Sequence, residues 1–445
     1  MVGASEPDTV STKQQRIAEL AKQSPHMGLT SLAHHIDLKW LHAAYLRTRP
    51  DGATGVDGQT NLDFNKHLGD NLRALLEQAK SGTYRAPPVR RVHIPKGTGA
   101  ETRPIGIPTY TDKILQRAVV MALEPIYEQD FLDCSYGFRP GRSAHQALQS
   151  LWEQTMAMGG GWIVEVDIQK FFDTLDQAQL REFLQRRVRD GVLLRLIGKW
   201  LHAGVLEEGT LTKPEAGTPQ GGVISPLLAN IYLHYVLDVW FKEEVQPRLR
   251  GRAFLIRYAD DFVMGFACEE DARRVMEVLP KRFGKFGLTL HPEKTRLVPF
   301  QKPSSQDQKP QSQPGTFDLL GFTHFWGLSR RGFWVVKRRT ARSRFSRALT
   351  RIADWCRRNF HEPLAEQSRK LGQKLRGHFA YYGITGNMEA LTRFHREVTC
   401  IWRKWLSRRH RQGYLAWPAF LGLLQRHPLP KATVVHSVYR HAANP

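Results

Sequence analysis

Three aspartates are the residues of this 445-residue chain best placed to do chemistry. Asp167 closes an alternating stretch that begins at Trp162, and Asp260-Asp261 follow Tyr258-Ala259 between two apolar runs. Carboxylates are hard oxygen ligands, and held close together they repel one another unless a divalent cation lies between them. Two such cations activate a hydroxyl nucleophile and stabilise the leaving oxygens of a phosphoryl transfer. An Asp on a strand beside an Asp-bearing hairpin turn delivers that ligand set. Alone, Tyr-x-Asp-Asp says little, because adjacent carboxylates ordinarily sit in a solvated turn; here apolar strands flank it on both sides.

The elements that must position these residues are legible nearby. Trp162, Val164, Val166 and Ile168 face one way, and Ile163, Glu165 and Asp167 the other, which predicts a strand with one buried face. Residues 253–258 and 262–266 read as two short strands with Asp260-Asp261 in the turn between them. Upstream, apolar residues recur at helical spacing from His35 to Ser81, broken by a glycine-rich turn at Asp51 to Gly58. Two short strands, 91–94 and 104–107, flank Gly97-Thr98-Gly99, and a helix is expected over 112–127. Residues 317–336 read as a strand pair around Gly327 to Gly332. Thereafter the pattern is wholly helical, with apolar lines Phe345, Leu349, Ile352, Cys356, Phe360, then Leu371, Leu375, Phe379, Tyr382, then Leu391, Phe394, Val398, Ile401, Trp405. Strands and helices mix without a regular βαβ repeat, which predicts an α+β fold.

Composition narrows the partners. The formal net charge is +23, and residues 301–445 hold 27 Lys+Arg against 7 Asp+Glu, so the last third carries +20 of it. A polyanion is the expected partner of that region. The four cysteines, Cys134, Cys268, Cys356 and Cys400, form no CxxC pair, which speaks against a cysteine-stapled zinc knuckle or nuclease. No run of about 18 apolar residues predicts a membrane span. The first fifteen residues carry Glu6 and Asp8 and no apolar core, unlike a signal or transit peptide, so a cytoplasmic, bacterial location is expected.

In order along the chain, several blocks resemble those of group II intron-encoded reverse transcriptases and maturases. They are Gly52-Ala-Thr-Gly-Val-Asp57-Gly58, Arg103-Pro-Ile-Gly-Ile-Pro108, Tyr136-Gly-Phe-Arg-Pro-Gly-Arg142-Ser143, and Val164-Glu-Val-Asp167-Ile-Gln-Lys-Phe-Phe172. Gly217-Thr-Pro-Gln220-Gly-Gly-Val-Ile-Ser225-Pro-Leu-Leu-Ala-Asn230, Tyr258-Ala259-Asp260-Asp261, Gly287 to Thr295 and Phe317-Asp-Leu-Leu-Gly321-Phe322 follow. Leu375 to Gly383 extends the likeness into the basic helices.

The resemblance implies a right-hand polymerase with fingers and a palm built on an antiparallel sheet plus helices, then an α-helical thumb or maturase bundle. The expected segments are a flexible 1–30, fingers and palm over 31–300 and a flexible linker over 301–315. A primer-grip hairpin over 316–338, thumb or maturase helices over 339–412, and a short DNA- or RNA-binding tail over 413–445 complete them. Asp167, Asp260 and Asp261 would be catalytic and hold two Mg2+ ions, with Mn2+ as a substitute, Asp261 being the lesser ligand. Lys96 and Arg103 would meet the incoming triphosphate, Phe172 or its neighbour Phe171 would gate the sugar, and Gln220 would touch the nascent pair. The implied partners are structured intron RNA, an RNA template with a DNA primer, deoxynucleoside triphosphates and target DNA. The His/Cys endonuclease of some relatives is not expected. The implied function is RNA-directed DNA polymerisation joined to intron splicing and mobility by target-primed reverse transcription. The alternatives are a host-adopted enzyme without an intron and an RNA-binding splicing factor with an idle site.

Overall fold

The computed structural model describes residues 9–95, 102–207, 210–212, 221–303, 315–409 and 413–437. The chain divides into two compact units: residues 1–147 with 166–297, and residues 148–165 with 298–445. Strands, mostly antiparallel, and helices mix in the α+β manner expected.

The first unit is organised around the helix Tyr110–Asp130, which is buried on nearly every side from Ile114 to Tyr127. Thr109 starts it by accepting a hydrogen bond from the Asp112 amide, satisfying one of the unpaired N–H groups at the helix start. The helix Leu38–Leu46 docks on it through Trp40, fully buried, whose indole N–H donates to the Ala118 carbonyl at 3.0 Å. A four-stranded sheet runs Thr102–Ile107, Val89–Pro95, Val205–Glu207, Thr210–Thr212. Its central pair, Val89 opposite Val205, is parallel, and its other pairs are antiparallel.

Residues 1–30 were expected to be loosely held, and the structure corrects this for residues 9 onward. Val10–Gln23 is a helix capped by Thr9, with Gln14 donating to the Met121 carbonyl and Lys13 paired to Asp37 at 2.6 Å. Only Ile17 and Ala21 are buried in it, so the apolar stripe is too thin to register as periodicity. The other segment expected to be flexible, 301–315, lies largely outside the described residues.

In the second unit, the strand Trp162–Val166 departs from the one-faced expectation. Ile163 and Val164, on opposite faces, are both fully buried, so the strand is covered on two sides at its start. Where a strand pair was read, three antiparallel strands form: Phe317–Leu319, Phe322–Leu328 and Trp334–Thr340. The extra strand is made by Leu320-Gly321, a two-residue loop with both φ angles positive (51° and 81°), the conformation that suits a tight hairpin. The helices Arg342–Asn359, Leu364–Tyr382 and Met388–Ser407 enclose one core with Phe420 and Leu429. The third helix turns Val398, Trp402 and Leu406 inward, leaving Ile401 and Trp405 as partly buried flanks. Trp402 is fully buried and its indole N–H donates to Gln367 at 2.9 Å.

Candidate active site

The strands Ala253–Tyr258 and Asp261–Phe266 pair in tight register, Tyr258 opposite Asp261. Only Ala259 and Asp260 are therefore in the loop, and Asp261 is the first residue of the second strand rather than a turn residue. Ala259 has φ 57°, a left-handed conformation that costs a non-glycine residue about 1 kcal/mol and persists only where the surroundings impose it. Two neighbours impose it. Gly137 lies so close that a Cβ there would collide with the backbone of Tyr258 and Ala259. The Arg257 guanidinium in turn donates to the Ala259 carbonyl at 3.1 Å.

Asp167 follows the strand Trp162–Val166, its carbonyl accepting from the His291 amide at 2.8 Å. The short pair Ile168–Gln169 with Thr289–Leu290 continues that attachment. Its carboxylate receives the Lys294 ammonium at 3.1 Å. Lys294 lies within the block Gly287 to Thr295, and its contact with Asp167 follows from the fold, which brings residues 127 positions apart together.

Asp260 is the electrostatically distinctive residue. Burial raises its pKa, the negative charge of Asp167 adds to that, and Arg103 and Arg257 oppose both. Asp260 is thus within electrostatic reach of both Asp167 and Arg103. Asp261 is exposed. Among the described residues no three His, Cys, Asp or Glu side chains converge as a ready metal cage. Two coupled carboxylates still fit Mg2+, which takes one or two carboxylates and completes its shell with water and substrate phosphates. The Lys294 ammonium held by Asp167 shows that a cation is accommodated beside that carboxylate.

Of the two phenylalanines, Phe171 is buried, its ring edge-on to Tyr232 at 6.3 Å, whereas Phe172 is half-buried. Lys96 and Gln220 lie outside the described residues. The segment that follows Gln220 is described: Gly221 (φ 116°) packs so tightly on Ile105 and Gly106 that a Cβ would clash, and the buried Gln116 accepts from the Val223 amide at 2.8 Å. Gly55 lies against Thr109 with the same intimacy, and Arg90 donates to the Thr54 carbonyl. The glycine-rich blocks read from sequence are thus points of close backbone approach.

Beneath the turn is a polar network that sequence reading missed. Arg257 and Asp238 form a bidentate pair at 2.7 and 2.5 Å, both side chains fully buried. Arg257 also donates to Asn230 at 2.9 Å and Ser135 at 2.7 Å, and Asn230 donates to the Gly137 carbonyl at 2.6 Å. The helix Ser225–Leu233 widens into π-type turns over His234–Asp238. Residues eight apart lie about 80° apart around an unbroken α-helix. The wider turns close that gap and let Asn230 and Asp238 reach one guanidinium.

Comparison with known proteins accords with this geometry. Residues 94–324 match the reverse transcriptase (RNA-dependent DNA polymerase) family. The chain belongs to that family. Protein YkfC of Escherichia coli (strain K12) is 35% identical over 328 residues, 65% of this chain and 84% of its own length. The group II intron-encoded protein LtrA of Lactococcus lactis subsp. cremoris is 40% identical over 224 residues, 48% of this chain and 37% of its own. The putative COX1/OXI3 intron 1 protein of Saccharomyces cerevisiae is 27% identical over 326 residues, 62% of this chain and 38% of its own. This reverse transcriptase is thus similar to intron-encoded proteins, and its matches span little more than a third of the length of those two. No helix among its described residues is long and apolar enough to cross a membrane.

Proposed function

We propose that this reverse transcriptase extends a DNA primer on an RNA template with Asp167 and Asp260 as the principal metal ligands and Asp261 as a lesser one. The observation that carries the proposal is that Asp260, in a two-residue turn, is within electrostatic reach of both Asp167 and Arg103. Mg2+ ions, two in number and replaceable by Mn2+, would supply hydroxyl activation and neutralisation of the leaving pyrophosphate. Arg103, with Lys96, would hold the triphosphate, since fixed cations favour the phosphate charge. Phe172 would lie under the deoxyribose and exclude a 2′-hydroxyl, while the buried Phe171 supports the site from the core. Gln220 would touch the nascent pair.

The second half of the proposal is RNA partnership: structured intron RNA, bound through the basic helices, with splicing assistance and target-primed insertion into DNA. Those helices are rich in Lys and Arg on their outer faces, as phosphate binding demands. The segments 31–300, 316–338, 339–412 and 413–445 would serve as fingers and palm, primer grip, thumb or maturase, and nucleic-acid tail.

The test is primer extension on an RNA template with Mg2+. Wild type extends; Asp260→Ala abolishes extension while retaining RNA affinity. Extension by the variant at wild-type rate refutes the assignment. A splicing assay with RNA flanking the coding region decides between an intron partner and a host-adopted enzyme.

A further inference from the structure

We infer that the buried Arg257–Asp238 pair is a positioning device for Asp260: it fixes the Ala259 carbonyl, and thereby the direction of the next side chain. This inference rests on the reading of Asp260 as a metal ligand.

The chain of contacts is short. Arg257 is the residue before Tyr258 on the strand that enters the loop, and its side chain curls back to donate to the Ala259 carbonyl, two residues on. That carbonyl belongs to the peptide linking Ala259 to Asp260, so its orientation sets the plane from which the Asp260 side chain departs. A left-handed residue in a two-residue loop has few alternatives that keep Tyr258 opposite Asp261.

The guanidinium is fully committed. Its donors go to both oxygens of Asp238, to Asn230, to Ser135 and to Ala259. A planar fork with five N–H donors makes all these bonds at once, which an ammonium does not. The backbone of Arg257 is pinned as well: its amide donates to the Cys134 carbonyl at 2.8 Å and its carbonyl accepts from the Tyr136 amide at 2.9 Å. Asn230 closes the ring by holding Gly137, the residue packed on the Tyr258–Ala259 peptide.

Charge explains why the device is an ion pair. An unpaired guanidinium three residues from Asp260 would be a competing cation buried beside a metal ligand. Asp238 pairs with it, so the network supplies rigidity while its formal net charge is zero. Buried pairs of this kind often add no stability over a well-packed apolar replacement. That property makes the inference testable.

The experiment uses Arg257→Met combined with Asp238→Leu, which removes both charges and keeps the volume. Primer extension on an RNA template is measured as a function of Mg2+ concentration, beside thermal unfolding and template–primer affinity. The expected result is a folded protein with unchanged affinity, turnover reduced about 10- to 100-fold, and a half-saturating Mg2+ concentration raised about tenfold, the range typical of losing a support behind a metal ligand. Wild-type turnover and Mg2+ dependence in the folded double variant would overturn the inference and leave the pair a packing feature. If the double variant does not fold, Arg257→Lys decides. Its single ammonium retains Asp238 but not the fork, so normal Mg2+ dependence there also overturns the inference. Extension by Asp260→Ala instead sinks the underlying reading, whatever the Arg257 variants do.

Discussion

Asp112 gives the chain a pH-dependent stability whose size follows from its surroundings. It lies in the first turn of the helix Tyr110–Asp130, is 2% exposed, and accepts a hydrogen bond from the Tyr84 hydroxyl, which in turn accepts from the Trp200 indole at 2.9 Å. Burial, with the Asp57 charge adding to it and the Tyr84 and Thr109 hydrogen bonds opposing, raises its pKa from 3.8 to about 7. Below pH 4 the carboxyl is protonated folded and unfolded, and contributes nothing. Between pH 4 and 7 the unfolded chain releases the proton while the folded chain keeps it, so stability falls as pH rises, at about 1.4 kcal/mol per unit. Above pH 7 the loss levels off at about 4 kcal/mol. Asp112→Asn removes the titration and retains an acceptor for Tyr84. The variant should therefore gain about 2–3 kcal/mol on wild type between pH 5 and pH 8. Urea denaturation of both proteins at the two pH values measures the change in their difference, from which any fixed cost of the amide cancels. A difference that stays constant within about 0.5 kcal/mol, the usual scatter of such measurements, refutes the argument.

Phe172→Ala should admit ribonucleotides, lowering deoxy-over-ribo discrimination by about 10- to 100-fold, a pocket effect of about 1–3 kcal/mol; Phe171→Ala should instead lower stability, and unchanged selectivity in the first variant counts against the gate. Gly137→Ala, which drives a methyl group into the Tyr258–Ala259 backbone, should cost at least tenfold in turnover, and full activity would show that the turn tolerates displacement. Trp402→Phe leaves the Gln367 carbonyl oxygen without its buried donor, and should destabilise the helical core by about 1–3 kcal/mol, seen as a lowered midpoint in thermal melting.

The carboxylates were legible in the sequence because their settings are local: an alternating strand before Asp167, and apolar runs on both sides of Asp260. The glycine blocks were legible as motifs, but their meaning as close approaches needed the fold, since Gly137 meets Ala259 and Gly221 meets Gly106. Arg257 was not legible. One arginine in Phe-Leu-Ile-Arg-Tyr reads as an outward strand position, and its partners lie 19, 27 and 122 residues away. The third bundle helix misled in a simpler way. Ile401 and Trp405 continue a 3-4 spacing as well as Trp402 and Leu406 do, and only the neighbouring helices decide which pair turns inward. The helix Val10–Gln23 was missed because two buried residues do not make a pattern.

The widened turns between Asn230 and Asp238 constrain the chain's length as well as its residues. The pair, eight residues apart, is in phase because His234–Asp238 winds loosely; one residue fewer leaves a spacing about 20° out of phase on a regular α-helix, whereas one residue more leaves it about 180° out. Substitutions along this stretch that keep it apolar should be absorbed by packing, and a one-codon deletion that restores a regular helix should be tolerated far better than a one-codon insertion, which should silence the enzyme. An insertion and deletion scan would read that phase directly, as a narrow window intolerant of insertion and forgiving of deletion, lying apart from the aspartates it serves.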